Sequence, residues 1–240
     1  MNLGYACINT ALSANKIFTN RTMRRKTFEA NGEDYVSDLA LANIKDLKTI
    51  VQWNNEMKIK LFRLSSQIFP WSDEYDVKTL KDYDEIASRM REIGQIAKDG
   101  GQRLTMHPGP YNCLASPTQK VVEKTIRELN FHSEQFNMMG YDPSPYNKIN
   151  IHVGGAYGDK KGTLDAFCHN FKLLNEDTKK RLVIENDDSP NEYSVNDLYW
   201  GIHKRIGIPI TFDYFHHKFN TGDLTEEEAL RMASTTWPKG

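Results

Sequence analysis

The chain has 240 residues, 39% hydrophobic and 26% charged, enough to bury a full core and an ordinary length for one α/β barrel domain spanning 1–240. Its 31 Lys and Arg against 32 Asp and Glu leave a net charge of −1, so any nucleic-acid partner must be held by a local basic surface. No apolar run is long enough to cross a bilayer, and MNLGYACINTAL lacks the basic region and long apolar stretch of a signal peptide, which predicts a cytoplasmic protein with no membrane partner.

Short β-branched or aromatic runs alternate with longer stretches of helical periodicity, the pattern of repeated βα units around a parallel sheet. Leu3 to Asn9 reads as the first strand and Asn20 to Asp34 as a polar, basic loop. A helix follows over Val36 to Met57, with Leu39, Ile44, Leu47, Ile50 and Val51 on its inner face. Lys60 to Ser65 is the second strand, with a helix from about Leu80 to Lys98, and Arg103 to His107 is the third, with a helix from about Thr118 to Met139. Lys148 to Val153 (KINIHV) is the fourth, its helix near Thr163 to Glu176, and Arg181 to Asn186 (RLVIEN) is the fifth, its helix near Val195 to Ile206. Pro209 to Tyr214 (PITFDY) is the sixth, and a last helix begins at Leu224. Cys7, Cys113 and Cys168 are an odd count without CxxC spacing, so neither a disulfide framework nor a thiolate zinc site is indicated.

The strand ends carry the chemistry. The third ends in His107, the fourth in His152, the fifth in Glu185 and the sixth in Asp213, with His216 three residues beyond. One strand-end histidine is usually a turn residue, and one strand-end carboxylate usually caps the next helix. In a (β/α)8 barrel, however, the C-terminal ends of all strands ring one mouth, so four consecutive strands deliver imidazole and carboxylate groups to one place. Imidazole and carboxylate without thiolate suit Zn²⁺, Mn²⁺ or Fe²⁺ rather than Ca²⁺, and five candidate ligands leave room for more than one ion.

The segments LGYACINT, WNNEMKIKLFRLSSQIFPW, RLTMHPGPYNCLASP, INIHVGGAYGDKKG, LVIENDD and FDYFHH, in this order along the whole chain, closely resemble the UV damage endonuclease family. Those enzymes are TIM-barrel repair nucleases related in fold to endonuclease IV. The resemblance implies an endonuclease with two or three divalent ions, manganese before zinc, that hydrolyses duplex DNA on the 5′ side of pyrimidine dimers and 6-4 photoproducts. It makes His107, His152, Glu185, Asp213 and His216 metal ligands, and Tyr5, Asn9 and Tyr111 contacts near the lesion. It further implies a monomer acting at the nucleoid.

Hydrolysis of a phosphodiester needs a nucleophile near neutral pH and positive charge around the phosphoryl oxygens. Glu185 and His107 are read as catalytic through the ions, with Lys160 beside them. Arg63 and Lys160, near the ends of strands two and four, can add charge to a phosphate; a barrel-end ion pair and a solvated turn lysine are the plain alternatives. Asn186, Asp187 and Asp188 either orient ligands or cap the next turn. Arg21, Arg24, Arg25 and Lys26 in RTMRRKTF give the first loop its positive charge, which suits phosphate contact. Pro110 and Tyr111 in HPGPYN can fill the gap left by extruded bases, although the family often has glutamine where Pro110 stands.

The family continues past TTWPKG with elements that carry further metal-site residues, so the expectation is a TIM-type barrel without its last strands, with unpaired sheet edges. A xylose-isomerase-like sugar isomerase and a catalytically inactive DNA-binding fragment are the competing readings. The basic first loop, Tyr5 and the HPGPYN turn favour DNA over a sugar.

Overall fold

The structure, a computed structural model, describes residues 3–239. Two compact units divide the chain, one formed by Met1–His107 and Phe131–Asp142, the other by Pro108–Asn130 and Pro143–Gly240.

The first unit is built on β1 (Gly4–Ala6), β2 (Leu61–Leu64) and β3 (Arg103–Met106), which run parallel with Tyr5 opposite Phe62 and Phe62 opposite Leu104. Between them lie α1 (Thr10–Ser13), α2 (Arg25–Glu56) and α3 (Tyr83–Asp99). Along α2, Val36, Ala40, Ile44, Leu47 and Val51 recur every three or four residues and are fully buried, and Ile86, Met90, Ile93 and Ala97 do the same along α3. The two helices pack against each other. Each large apolar side chain removed from water contributes roughly 1.5–3 kcal/mol.

Two elements differ from the sequence expectation. The first strand stops at Ala6 rather than Asn9, because Cys7 turns the backbone left-handed at φ 59° and Asn9 instead caps α1, its Oδ1 accepting from Leu12 N at 3.0 Å. Helix begins at Arg25, inside the stretch expected to be a loop, and breaks at Gly32 (φ 62°, ψ −158°), a conformation that glycine tolerates best. Tertiary contact holds that early turn. Phe28 stacks on Trp71 at 5.9 Å between ring centroids, with the Arg25 guanidinium 5.4 Å from the Trp71 centroid.

The second unit begins after His107 and includes the start of α4 (Gln119–Met138). It is built on β4 (Ile149–Ile151), β5 (Leu182–Glu185) and β6 (Ile210–Thr211), again parallel, with Ile151 opposite Ile184 and Glu185 opposite Thr211. Every residue of β4 and β5 is buried, as in a parallel sheet covered on both faces. Helices α5 (Lys160–Phe171), α6 (Glu176–Arg181), α7 (Val195–Leu198), α8 (Lys204–Ile206), α9 (Tyr214–His217) and α10 (Glu226–Ser234) complete it. Ser194 and Asp197 start α7 with a reciprocal capping box, and Thr225 and Glu228 do so for α10. The short α6 was not expected; its sequence EDTKKR has no apolar period to announce it.

At β6, where an unpaired edge was expected, side chains from the segment after α10 cover the backbone. Ile210 donates its N–H to Thr236 Oγ1 at 2.9 Å, and the Ile210 carbonyl accepts from Trp237 Nε1 at 2.7 Å. Two buried main-chain groups are thereby satisfied without a strand.

Candidate metal centre

In the second unit, Glu185 is the last residue of β5, Asp213 is the N-cap of α9 and His216 lies inside that helix. Each offers a ligand atom within 4.8 Å of the others'. Local backbone chemistry puts them there. One Asp213 oxygen, Oδ1, accepts from Phe215 N at 2.7 Å and His216 N at 3.0 Å, which opens α9 and turns His216 back toward Glu185. The capping role foreseen for such a carboxylate takes Oδ1 alone, so it does not exclude a ligand role for the same side chain.

The histidine tautomers follow from their partners. His216 Nδ1 lies 2.8 Å from the Asn186 carbonyl, and since a carbonyl only accepts, Nδ1 carries the proton and Nε2 keeps its lone pair. His152, just beyond β4, has Nδ1 at 2.7 Å from Asp187 Oδ1, a carboxylate that favours a proton on that nitrogen. A ligand atom of His152 lies within 4.8 Å of one of Glu185, and the His152 and His216 rings are 5.5 Å apart between centroids. Burial alone would lower the His152 pKa, but the hydrogen bond and charge of Asp187, joined by Glu185 and Glu192, outweigh it and raise the imidazole above its ordinary value.

Around these groups stands a supporting layer. Asn186 Oδ1 accepts from Asp213 N at 2.8 Å and Asn186 Nδ2 donates to the Asp213 carbonyl at 3.1 Å, clamping β5 to the start of α9. Asp187 Oδ2 accepts from Tyr193 N at 3.3 Å. Within ENDD, then, Glu185 is a candidate ligand, the Asn186 side chain pairs with the Asp213 main chain, and Asp187 both faces His152 and accepts from Tyr193 N across the following turn. Asn150 was missed at the sequence level: its Nδ2 donates to Glu185 Oε2. Its signal was there, because in KINIHV a polar residue two before His152 shares its face of the strand.

The donor set fits a divalent cation. One buried carboxylate, a second carboxylate and an imidazole each offer a ligand atom within 4.8 Å of the others', and further hydrogen bonds fix their orientations. His107 follows β3 directly, as the last residue of the first unit, and is half-buried.

Other candidate residues fall into distinct environments. Lys160, at the start of α5, has Nζ 3.1 Å from Asp197 Oδ2. In the first unit, the Tyr5 hydroxyl donates to Asn54 Oδ1 at 2.7 Å and accepts from Asn9 Nδ2 at 2.8 Å. Burial raises the Tyr5 pKa, and those two hydrogen bonds only partly offset it. Arg63 is half-buried on β2, its Nε without a hydrogen-bond partner among the described residues. Arg21 is committed inward: its guanidinium binds Asp46 Oδ2 at 2.6 Å and the Phe18 carbonyl at 2.6 Å. Arg25 pairs with Glu29 and Glu74 at 2.9 and 2.7 Å. Arg24, at the N-cap of α2, is exposed and makes no side-chain bond among the described residues. In the second unit Pro110 and Tyr111 stand at the surface, Tyr111 with 88% of its area exposed. Among the described residues, no helix is long and apolar enough to cross a membrane.

Comparison with known proteins bears on the whole chain. A UV-damage endonuclease of Schizosaccharomyces pombe is 38% identical over 93% of this chain and 37% of its own. A putative UV-damage endonuclease of Acanthamoeba polyphaga mimivirus is 33% identical over 100% of this chain and 72% of its own. A UV DNA damage endonuclease of Clostridium perfringens is 32% identical over 100% of this chain and 55% of its own. The chain thus spans from about a third to nearly three quarters of these relatives. The crystal structure of SacUVDE matches with a TM-score of 0.88 and 32% identity, covering 100% of this chain and 78% of that one. A D-psicose 3-epimerase from Clostridium cellulolyticum, 13% identical with a TM-score of 0.56 over 79% of this chain and 65% of its own, shares the fold alone. The fold is α/β of the TIM-barrel type, and the sugar-isomerase reading is not favoured. The family model described as UV-endonuclease UvdE matches residues 1–240, and the chain belongs to that family.

Proposed function

We propose that this chain acts as a divalent-metal DNA repair endonuclease, hydrolysing the phosphodiester on the 5′ side of UV photolesions, pyrimidine dimers and 6-4 photoproducts alike. The observation that carries the reading is the convergence of Glu185, Asp213 and His216 within 4.8 Å in a chain of the UvdE family. Glu185, Asp213, His216 and His152 are the proposed ligands from the second unit, and His107 the one from the first. Two or three ions are proposed, manganese first. Bound there, such ions supply a hydroxide near neutral pH and neutralise charge developing on the phosphoryl oxygens.

The chain's own residues do the rest. Glu185 would hold an ion with its carboxylate, and the imidazoles of His107, His152 and His216 would add ligands without cancelling the ion's charge. Lys160, Arg63 and Arg24 offer positive charge for phosphates, and Arg24 is the best placed of the first-loop cations because its guanidinium is uncommitted. Exposed Tyr111, with Pro110 before it, is the side chain suited to fill a duplex from which a damaged pair has been extruded, and a distorted dimer unstacks at lower cost than intact bases. The partner is duplex DNA at the nucleoid, met by a monomer.

Incubation with UV-irradiated supercoiled plasmid and Mn²⁺ tests the reading. Nicking confined to irradiated plasmid and abolished by chelation supports it; binding without nicking supports the inactive-fragment alternative instead.

A further inference from the structure

A cavity of about 430 Å³ opens within the second unit, built from the two segments that leave His152 and Glu185. One wall, Tyr157 to Lys160, follows His152; the other, Ser189 to Glu192, follows Glu185. Its volume falls within the range of small-ligand pockets.

Three features of the lining decide what it fits. Tyr157 is 54% exposed although its backbone is left-handed at φ 51°, a strained state for a bulky residue. Its ring is not loose: it lies over Gly155, where an added Cβ would stand 3.7 Å away, and its hydroxyl interacts with Ser116 and Cys113. Lys160 brings a cation, held by Asp197 at 3.1 Å. Glu192 brings a carboxylate, an acceptor only. A simple anion would meet Glu192, and a simple cation would meet Lys160. The lining matches a ligand with an anionic end, a flat middle and a hydrogen-bond donor at the far end.

We propose that this cavity is a nucleotide subsite that takes one deoxynucleotide of the DNA strand, its phosphate on Lys160, its base on the Tyr157 ring and the exocyclic amino group of cytosine or adenine on Glu192. The carboxylate accepts from such an amino group, whereas thymine offers a carbonyl at the same place. The subsite favours cytosine or adenine beside the cleavage position. It rests on the reading of the chain as acting on DNA.

The test uses the full chain in EDTA, with 5′-dCMP, 5′-dTMP and 2-deoxyribose 5-phosphate as probes in ligand-observed NMR titrations. The subsite predicts that dCMP binds about tenfold or more tightly than the sugar phosphate, the scale of one base stacked on one aromatic ring, and several-fold more tightly than dTMP. Tyr157→Ala should bring dCMP down to the sugar phosphate, Tyr157→Phe should keep it, and Glu192→Gln should make dCMP and dTMP equal. If dCMP binds no better than the sugar phosphate, or Glu192→Gln leaves the preference intact, the subsite is overturned. That second variant decides the matter even if Tyr157→Ala does not fold. Neither metal nor cleavage enters the measurement, so a protein that nicks irradiated plasmid yet fails here loses the subsite and keeps the function.

Discussion

His152 Nδ1 stands 2.7 Å from Asp187 Oδ1, and this pair orients the ring of a proposed metal ligand. A carboxylate there favours the proton on Nδ1, with Nε2 as the proposed ligand atom. Removing such a partner typically costs 10–100-fold in metal affinity. Asp187→Asn should therefore weaken Mn²⁺ binding by about that factor in a calorimetric titration with the secondary structure unchanged. Undiminished affinity would mean that Asp187 does no more than brace Tyr193.

The covered backbone of Ile210 makes a stability prediction. Thr236→Val leaves the buried Ile210 N–H without its acceptor, at a cost of about 1–3 kcal/mol, while Thr236→Ser keeps the hydroxyl and most of the stability. Urea unfolding of both variants checks this. Equal midpoints would show that the C-terminal segment does not protect β6.

Arg21 and Arg24 are three residues apart and should behave oppositely. Arg21→Ala removes an internal tie to Asp46 and the Phe18 carbonyl, and should lower the melting temperature. Arg24→Ala should leave melting unchanged, weaken binding of duplex DNA and lower the salt slope of log affinity by about one. Anisotropy titrations at several salt concentrations measure it, and an unchanged slope rejects Arg24 as a phosphate contact.

His132, on α4, is fully buried, neither ring nitrogen has a hydrogen-bond partner among the described residues, and burial pushes its pKa down to about 4. A histidine depressed in the folded state binds a proton more readily when unfolded. Its contribution is therefore fully present above pH 6.5 and is lost as pH falls from 6.5 through 4, on the order of 3 kcal/mol in all. His132→Phe should flatten the stability profile across that window, read by denaturant unfolding at each pH. A profile as steep as the wild type's would place the acid sensitivity elsewhere.

The alternation of strand and helix was legible because parallel strands buried on both faces are continuous apolar runs, and α2 and α3 keep a 3.6-residue period. That Glu185, Asp213 and His216 come together was legible for a related reason: polar residues at the ends of apolar strands stand out. What stayed hidden depended on side chain–backbone bonds that leave no period. Asn9 was read as strand when it caps α1, the Asp46 partner of Arg21 went unforeseen, and Asn150 was read as plain strand when it binds Glu185. Composition shows that RTMRRKTF is basic, but only the fold shows which of its charges remain uncommitted.

The central claim is metal-dependent cleavage beside a lesion through Glu185 and its neighbours. Its most direct test is a 5′-labelled duplex with one thymine dimer, incubated with metal-stripped protein before and after addition of Mn²⁺, with the Glu185→Gln variant in parallel. We predict a single cut on the 5′ side of the dimer, only with metal, none in the undamaged duplex, and a loss of at least a hundredfold in rate for the variant. Cleavage that persists in EDTA, or that Glu185→Gln leaves at wild-type rate, would contradict the account.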